Sequence, residues 1–433
     1  MAPEERDPEF IRLLFTDLLG CTRSIEVGYD RLEEVMESGI VIDGSSIPGY
    51  SSINDSDALI LPTRATPITQ PWDKSAAFML CGVHDVSGSP HPRDPRNILK
   101  QIVAFASEQG FKLLVGSELE FFTITRSTDN NVKPCDHGGY FSSIPLDSSL
   151  ELRREIIRAL NAIGIPTTSH HHEVAQGQQE IGLRYLPAET AADNIMMARL
   201  IISEIAYRRG LIATFMPKPF VNQNGSGMHL HQSVWSVNES KNLFAGERCG
   251  EISTLATNYI GGLLEHATTL AAVLAPTVNS YKRLVPGFEA PTAIAWGYRN
   301  RSTMIRVPHF NGSHDAARIE LRCPDASSSP HLGIAAMLSA GLDGIQRKIE
   351  PPLPSDSNLY ESKKSIKCLP VSLQSAISYL EKSRMLRDRL GNSTIDFLVA
   401  KRRQEWTDYV QSTEDPGSSE ITSWEIEKYL LAN

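Results

Sequence analysis

Glu118 and Glu120 stand two apart inside the apolar run Leu113 to Ile124 (LLVGSELEFFTI). In a strand, period two sends both carboxylates to one face. Two anions about 6 Å apart at an effective dielectric of about 20 repel by roughly 3 kcal/mol, before desolvation is counted. Such a pair is either a solvated edge with phenylalanines packed behind it or a site that needs a cation. Three other stretches repeat the pattern. In 223–235 (QNGSGMHLHQSVW) the chain turns on Asn224, Gly225 and Gly227 and then alternates. His229, His231 and Ser233 fall on one face, Met228, Leu230 and Val234 on the other. In His172 to Leu183 (HEVAQGQQEIGL), a hairpin centred on Gln176-Gly177 sets Glu173 opposite Glu180, a second carboxylate pair. Of His170, His171 and His172 at most two can share a centre, because consecutive side chains point opposite ways. In Ala317 to Cys323 (ARIELRC), Arg318, Glu320 and Arg322 share a face, an arrangement that alone is equally an ion-pair ladder.

Lys282, Arg283, Arg301 and Arg306 add positive charge just upstream of that last stretch. Guanidiniums in such number suit a polyanionic substrate such as a nucleoside triphosphate. The chain has no G-x-x-x-x-G-K-[ST] loop, so metals and arginines would have to hold the phosphates. Carboxylates with an occasional imidazole suit Mg²⁺ or Mn²⁺ better than zinc. Divalent ions flanked by arginines are apparatus for phosphoryl transfer.

These strands need a scaffold. At 433 residues the chain exceeds one ordinary core and divides into two domains, read as 1–93 and 94–433. A net charge of −9 without long blocks of one sign argues against nucleic acid or an anionic membrane as partner. Six scattered cysteines without a C-x-x-C spacing suggest reduced thiols and a cytoplasmic protein. The polar first residues lack a signal-peptide core, and the window 252–275 is interrupted by Glu265 and His266. The first unit reads as a small α+β fold, with strands at Phe10 to Phe15, Ser24 to Val27 and Ala76 to Val83, a helix at Asp30 to Met36, and a loop-rich stretch around 43–49. A helix capped by Asp94 opens the second unit. Further helices are expected at 149–163, 190–209, 251–273, 331–348, 372–390 and 394–411. A short terminal one, Trp424 to Leu431, is too small to fold alone and should dock elsewhere, on another subunit if not on its own chain.

At this point a resemblance becomes specific. DGSSI (43–47), E-x-E-FF (118–122), GGYF (138–141), HHEVA-x-GQ-x-E (171–180), TFMPKP (214–219) with NGSGMH-x-H-x-S (224–233), NSYKRLVPGFEAP (279–291), RNRS with IR-x-P (299–308) and R-x-E-x-R (318–322) occur in order. Along nearly its whole length the chain resembles a type I glutamine synthetase. The resemblance implies an α+β protein: an N-terminal β-grasp domain and a catalytic domain with a curved antiparallel sheet flanked by helices. It implies ATP and two or three Mg²⁺ or Mn²⁺ ions per site, with glutamate and ammonium as small-molecule substrates. It also implies a homododecamer or hexamer with active sites between subunits.

Carried over residue by residue, the resemblance makes Glu120, Glu173 and Glu180 ligands of the metal beside glutamate, and Glu118, His229 and Glu320 ligands of the metal on the nucleotide phosphates. Arg283, Arg322, Asn224 and Gly225 match glutamate-binding positions. His231, Ser233 and Arg306 match ATP contacts; Arg301 and Arg318 match positions that meet phosphate charge. Glu289 matches the loop that closes the site. Asp43, Ser46 and Tyr140 match the ammonium pocket, Asp43 reaching in from a neighbour. The N-terminus is shorter than typical, Asp315 stands where some members carry lysine, and Glu-Ser-Lys-Lys-Ser after Tyr360 departs from the subgroup that adenylylates this tyrosine, so no adenylylation is expected. Two alternatives stay open: a γ-glutamyl ligase for a larger amine (polyamine, ethanolamine or methylamine), and a structural protein that kept the fold without catalysis.

Overall fold

The computed structural model describes residues 7–126, 132–248, 250–310, 313–361 and 366–432. The first six residues and the 362–365 part of the segment after Tyr360 lie outside them.

Strands β1 (Phe10–Thr16), β2 (Thr22–Gly28), β3 (Ile40–Asp43), β4 (Asp57–Pro62), β5 (Ile68–Gln70) and β6 (Asp73–His84) form a six-stranded sheet in the order β2-β1-β6-β4-β3, with β5 on β6. The β1/β6 pair is parallel. Ile11, Leu13 and Phe15 of β1 alternate into a small core shared with Val35 of helix α1 (Leu32–Ser38), whereas Leu14 joins the main core on the other side. A strand buried on both faces is apolar nearly throughout, which is why FIRLLF does not alternate. Beyond the loop-rich stretch around 43–49 the unit also carries β4 and β5, strands not expected from the sequence because Pro and Asp boundaries mask their short apolar runs.

The second unit is a nine-stranded sheet: β7 (Phe111–Arg126), β8 (Val132–Pro134), β9 (Thr167–His172), β10 (Gln178–Pro187), β11 (Ile212–Thr214), β12 (Met228–Ser236), β13 (Ala293–Tyr298), β14 (Thr303–Val307) and β15 (Ile319–Leu321). Its order is β13-β14-β15-β12-β7-β10-β9, with β8 and β11 also on β7. It is antiparallel except for the parallel β13/β14 pair. Val115, Leu119, Ile181, Met228, Leu230, Ile319 and Leu321 are buried in the main core, so the apolar phase of each strand faces away from the acidic one.

Helix α2 (Pro95–Glu108) begins as its sequence indicates, with the Asp94 carboxylate accepting from Arg96 N and Pro95 in the first turn. Helices α3 (Leu150–Ala162), α4 (Ala188–Arg208), α5 (Thr254–Glu265), α6 (Ala267–Leu274), α7 (Ser280–Arg283) and α8 (Pro330–Arg347) follow. Helices α9 (Leu373–Glu381), α10 (Arg384–Leu390), α11 (Asn392–Ser412) and α12 (Ser423–Tyr429) complete the chain. Two expected helices are each split. The 251–273 run breaks at His266, whose ring bonds Asp343 at 2.7 Å; the 372–390 run breaks where Ser383 caps a new helix through Leu386 N at 3.3 Å. The terminal helix α12 docks on its own chain: buried Glu425 accepts from Asn279 (2.9 Å) and Lys282 (2.6 Å), and Tyr429 donates to Glu405 (2.6 Å). Among the described residues no helix is long and apolar enough to cross a membrane.

Candidate active site

Strand register lines up the polar side chains. Glu118 lies opposite His229, Glu320 opposite both His231 and Arg306, and Glu180 opposite both Glu120 and His171. Directly paired residues share a face with Cβ atoms about 4.5–5.5 Å apart. One row of titratable groups therefore crosses β9, β10, β7, β12, β15 and β14.

The hairpin register differs from expectation. His172, not Val174, pairs with Gln179, and Glu173 N donates to Gln178 O at 2.8 Å. The turn is longer because Gly177, at φ +69°, is held from outside: its N–H donates to Asp136 (2.8 Å), and its carbonyl accepts from Thr123 N (2.8 Å) on β7. Glu173 thus reaches Glu180 diagonally, with His171 between them at 3.0 Å from Glu173 Oε1 and 3.8 Å from Glu180 Oε1.

The carboxylates sit in unequal fields. Burial works against the charge of Glu118, but hydrogen bonds with His229 (3.1 Å) and His231 (2.9 Å) hold it well below the usual carboxylate range. Burial also opposes Glu320, yet His231, Arg322 (2.6 Å), His229 and Arg306 (2.6 Å) bring it down to about 2. Its second guanidinium is therefore Arg306 from the neighbouring strand, not Arg318. Glu120 is raised by burial, although Gly227 N donates to it at 2.7 Å. Glu180 is pushed up to about 10 by burial and then by Glu118, Glu120, Glu173 and Glu320. Anions outnumber nearby cations at this end of the row.

Two groups of donors have ligand atoms within 4.8 Å of one another: Glu118, Glu180 and His229; and His171, Glu173 and Glu180. Each offers two carboxylates and one imidazole, a set that fits a hard divalent cation such as Mg²⁺ or Mn²⁺. His171 was not separable in sequence from its histidine neighbours. Glu120 and Glu320, expected as ligands, line the same region but are engaged by Gly227 N–H and by the two arginines.

A cavity of about 310 Å³ collects Glu118, Glu120, Glu173, Glu180 and His229 on one side and Arg283, Arg301, Arg306 and Arg322 on the other. Tyr140, Asn224, Gly225 and Glu289 also line it. A second cavity, about 410 Å³, is lined by Ser117, Tyr185, His231, Ser233, Asp315 and Arg318. Glu118 borders both. Arg306, expected on the nucleotide side, lines the first cavity. Arg301 is raised, first by its hydrogen bond to Tyr140. Asp43 and Ser46 line neither cavity: Asp43 ends β3 on the small sheet and Ser46 lies in the 3-10 turn after it, where the Asp43 carboxylate accepts from Ser45 N (2.9 Å), Ser45 Oγ (2.6 Å) and Ser46 Oγ (2.6 Å). Three supporting groups escaped the sequence reading. Gln178 donates to Glu120 (3.3 Å) and to Gly225 O (3.1 Å). His172 bridges Asp136 (2.9 Å) and Glu173 O (2.7 Å). Lys218 is brought down to about 8 by burial and by Arg283. The first two lie in polar runs, TTSHHH and QQE, where nothing in the sequence sets them apart from their neighbours.

A β-grasp sheet joined to a curved sheet whose acidic face opens on two adjoining cavities defines an ATP-dependent ligase that uses divalent metal. The chain belongs to the glutamine synthetase family: residues 92–429 match its catalytic domain and residues 7–86 its beta-Grasp domain. It is 42% identical over 436 residues to the glutamine synthetase of Pyrococcus abyssi, covering 98% of this chain and 97% of that one. It is 40% identical over 447 residues to that of Methanocaldococcus jannaschii, covering 99% and 96%. Among solved structures it resembles a "GmaS/ADP complex-Conformation 1" with TM-score 0.87, 33% identity and coverage of 98% and 97%. It also resembles an "Apo GmaS without ligand" at TM-score 0.85 and 34% identity.

Proposed function

We propose that the chain ligates ammonia to the γ-carboxylate of L-glutamate at the expense of ATP, through a γ-glutamyl phosphate. The observation that carries this reading is the convergence of five glutamates and four arginines on one cavity that adjoins a second through Glu118. In the first step a γ-carboxylate oxygen attacks the γ-phosphorus, the bond to the bridging oxygen breaks, and ADP leaves. In the second the amine nitrogen attacks the activated carbon, and the tetrahedral adduct expels phosphate. Arg283, Arg322, Asn224 and Gly225 would bind glutamate, and Arg301, Arg306 and Arg318 would meet phosphate charge. His231 and Ser233 would face the nucleotide. Divalent ions on the two glutamate–imidazole groups would neutralise the triphosphate. The Glu289 loop would keep water from the acyl phosphate. Asp43, held below its usual pKa by hydrogen bonds from Ser45 and Ser46, would stay ionised to attract ammonium and then take its proton.

A larger amine is the second reading. The likeness to the GmaS structures supports it. Phosphate release with ATP, Mg²⁺ and glutamate, plus ammonium, methylamine, ethanolamine or a polyamine in turn, separates the two. Turnover restricted to ammonium supports glutamine formation; preference for an alkylamine transfers the assignment to the second reading; none with any amine removes both.

A further inference from the structure

Lys218 is 2% exposed, and among the described residues no carboxylate pairs with it. A buried ammonium without a counter-ion is costly, and an apolar residue would fill the same space more cheaply. Its backbone is clamped on both sides by fully buried Asn279, through Lys218 N (2.6 Å) and Lys218 O (3.0 Å). From that fixed base Nζ meets, among the described residues, the carbonyl of Gln223, to which it donates, and the face of Phe288, 3.5 Å from the ring centroid. Phe288 lines the first cavity, and Gln223 adjoins the segment that lines it elsewhere. Gln223 precedes Asn224 and Gly225; Phe288 precedes Glu289. Phe288 also lines a separate cavity of about 600 Å³ with Lys218, Trp406 and Leu373, which is space into which its ring can swing. Next to it Glu289 holds the left-handed backbone conformation, φ +57°, which non-glycine residues rarely adopt.

We propose that Lys218 is a positioning residue that straps the 285–290 loop to the 223–227 segment, so that ordering of Asn224 and Gly225 by a bound amino acid and seating of Glu289 over the cavity occur together. The ammonium supplies the strap as a cation–π contact on one side and a charged hydrogen bond on the other. Its effect on turnover rests on the ligase reading above; the contact itself does not.

The test uses the full chain as Lys218→Met, Phe288→Leu, the double variant, Phe288→Trp and Lys218→Arg. Without substrates, deuterium exchange of the 284–291 amides should quicken roughly 2- to 30-fold in either of the first two, the range from an exposed to a desolvated cation–π contact. The double variant should be no faster, and Phe288→Trp and Lys218→Arg should stay near wild type. Unchanged exchange in Lys218→Met, or additive effects in the double variant, overturns the strap. Should Lys218→Met fail to fold, Phe288→Leu against Phe288→Trp decides by the same measure. With ATP, Mg²⁺, glutamate and the amine the chain accepts, the first two variants should raise KM for glutamate and release more phosphate per amide formed, with kcat for phosphate moving less. An unchanged ratio overturns the link to turnover. A wild type that releases no glutamate-dependent phosphate sinks the ligase reading instead, while exchange still judges the strap.

Discussion

Glu180 faces four other carboxylates, and its pKa of about 10 makes it the proton reservoir of the metal-free site. An ordinary glutamate titrates near 4.3. Between about 5 and 10 the folded chain therefore holds a proton here that the unfolded chain has lost, so stability falls as pH rises through that window. Chelator-treated protein should melt at progressively lower temperature from pH 6 to 9. Mn²⁺ should reverse the trend and expel a proton as it binds, which calorimetry at pH 7.5 in two buffers of different ionisation enthalpy would register. Glu320 has the opposite sign: held down to about 2, it contributes stability above its unfolded pKa and loses it only as pH falls through about 2. Removing its partner in Arg322→Met leaves a fully buried carboxylate short of a counter-charge, at a cost of about 3–5 kcal/mol; the variant should show a lower Tm and a raised Glu320 pKa. At this scale the Glu118/Glu120 pair was readable because period two needs no knowledge of neighbours. The Arg306 contact of Glu320 was not, because strand order is a tertiary fact.

Among elements, the β9–β10 turn shows where local reading stops. The hairpin was expected around Gln176-Gly177, but its register depends on Asp136 and Thr123, which reach Gly177 from 41 and 54 residues away. The same Asp136 holds His172, whose ring packs so closely on Gly138 that a Cβ there would lie 2.5 Å from Nε2. Gly138 therefore couples the segment bearing Tyr140 to the turn bearing Glu173. Gly138→Ala has to displace the imidazole or the segment, an overpacking change worth about 1–3 kcal/mol. The expected result is a lower Tm together with weaker Mn²⁺ binding by titration, since Glu173 moves with His172; a Tm loss with intact metal affinity would confine the glycine to packing. Helix breaks at His266 and Ser383 were hidden for a like reason: the residues on either side continue the same apolar period, and only the side-chain partners mark the stop.

Across the whole molecule, the small sheet and the large one divide the proposed chemistry. Every expected site residue from Glu118 onward borders a cavity or lies under it, whereas Asp43 at the end of β3 and Ser46 in the turn after it border neither. Asp43 is ionised and exposed, with Asp57 opposite it in register, an arrangement that has no use within the chain's own core. If a second copy supplies Asp43, each site is built from two chains, and the defect of one can be covered by the other. Asp43→Ala and Glu180→Gln should each be nearly inactive alone. After unfolding and refolding together in equal amounts, a site is complete only where an Asp43→Ala chain provides the cavity and a Glu180→Gln chain provides the aspartate. Random assembly makes that combination about one quarter of sites in a closed ring, so phosphate release should return to about a quarter of wild type. Aspartate acting within its own chain predicts no recovery at any mixing ratio, because no chain then carries both residues.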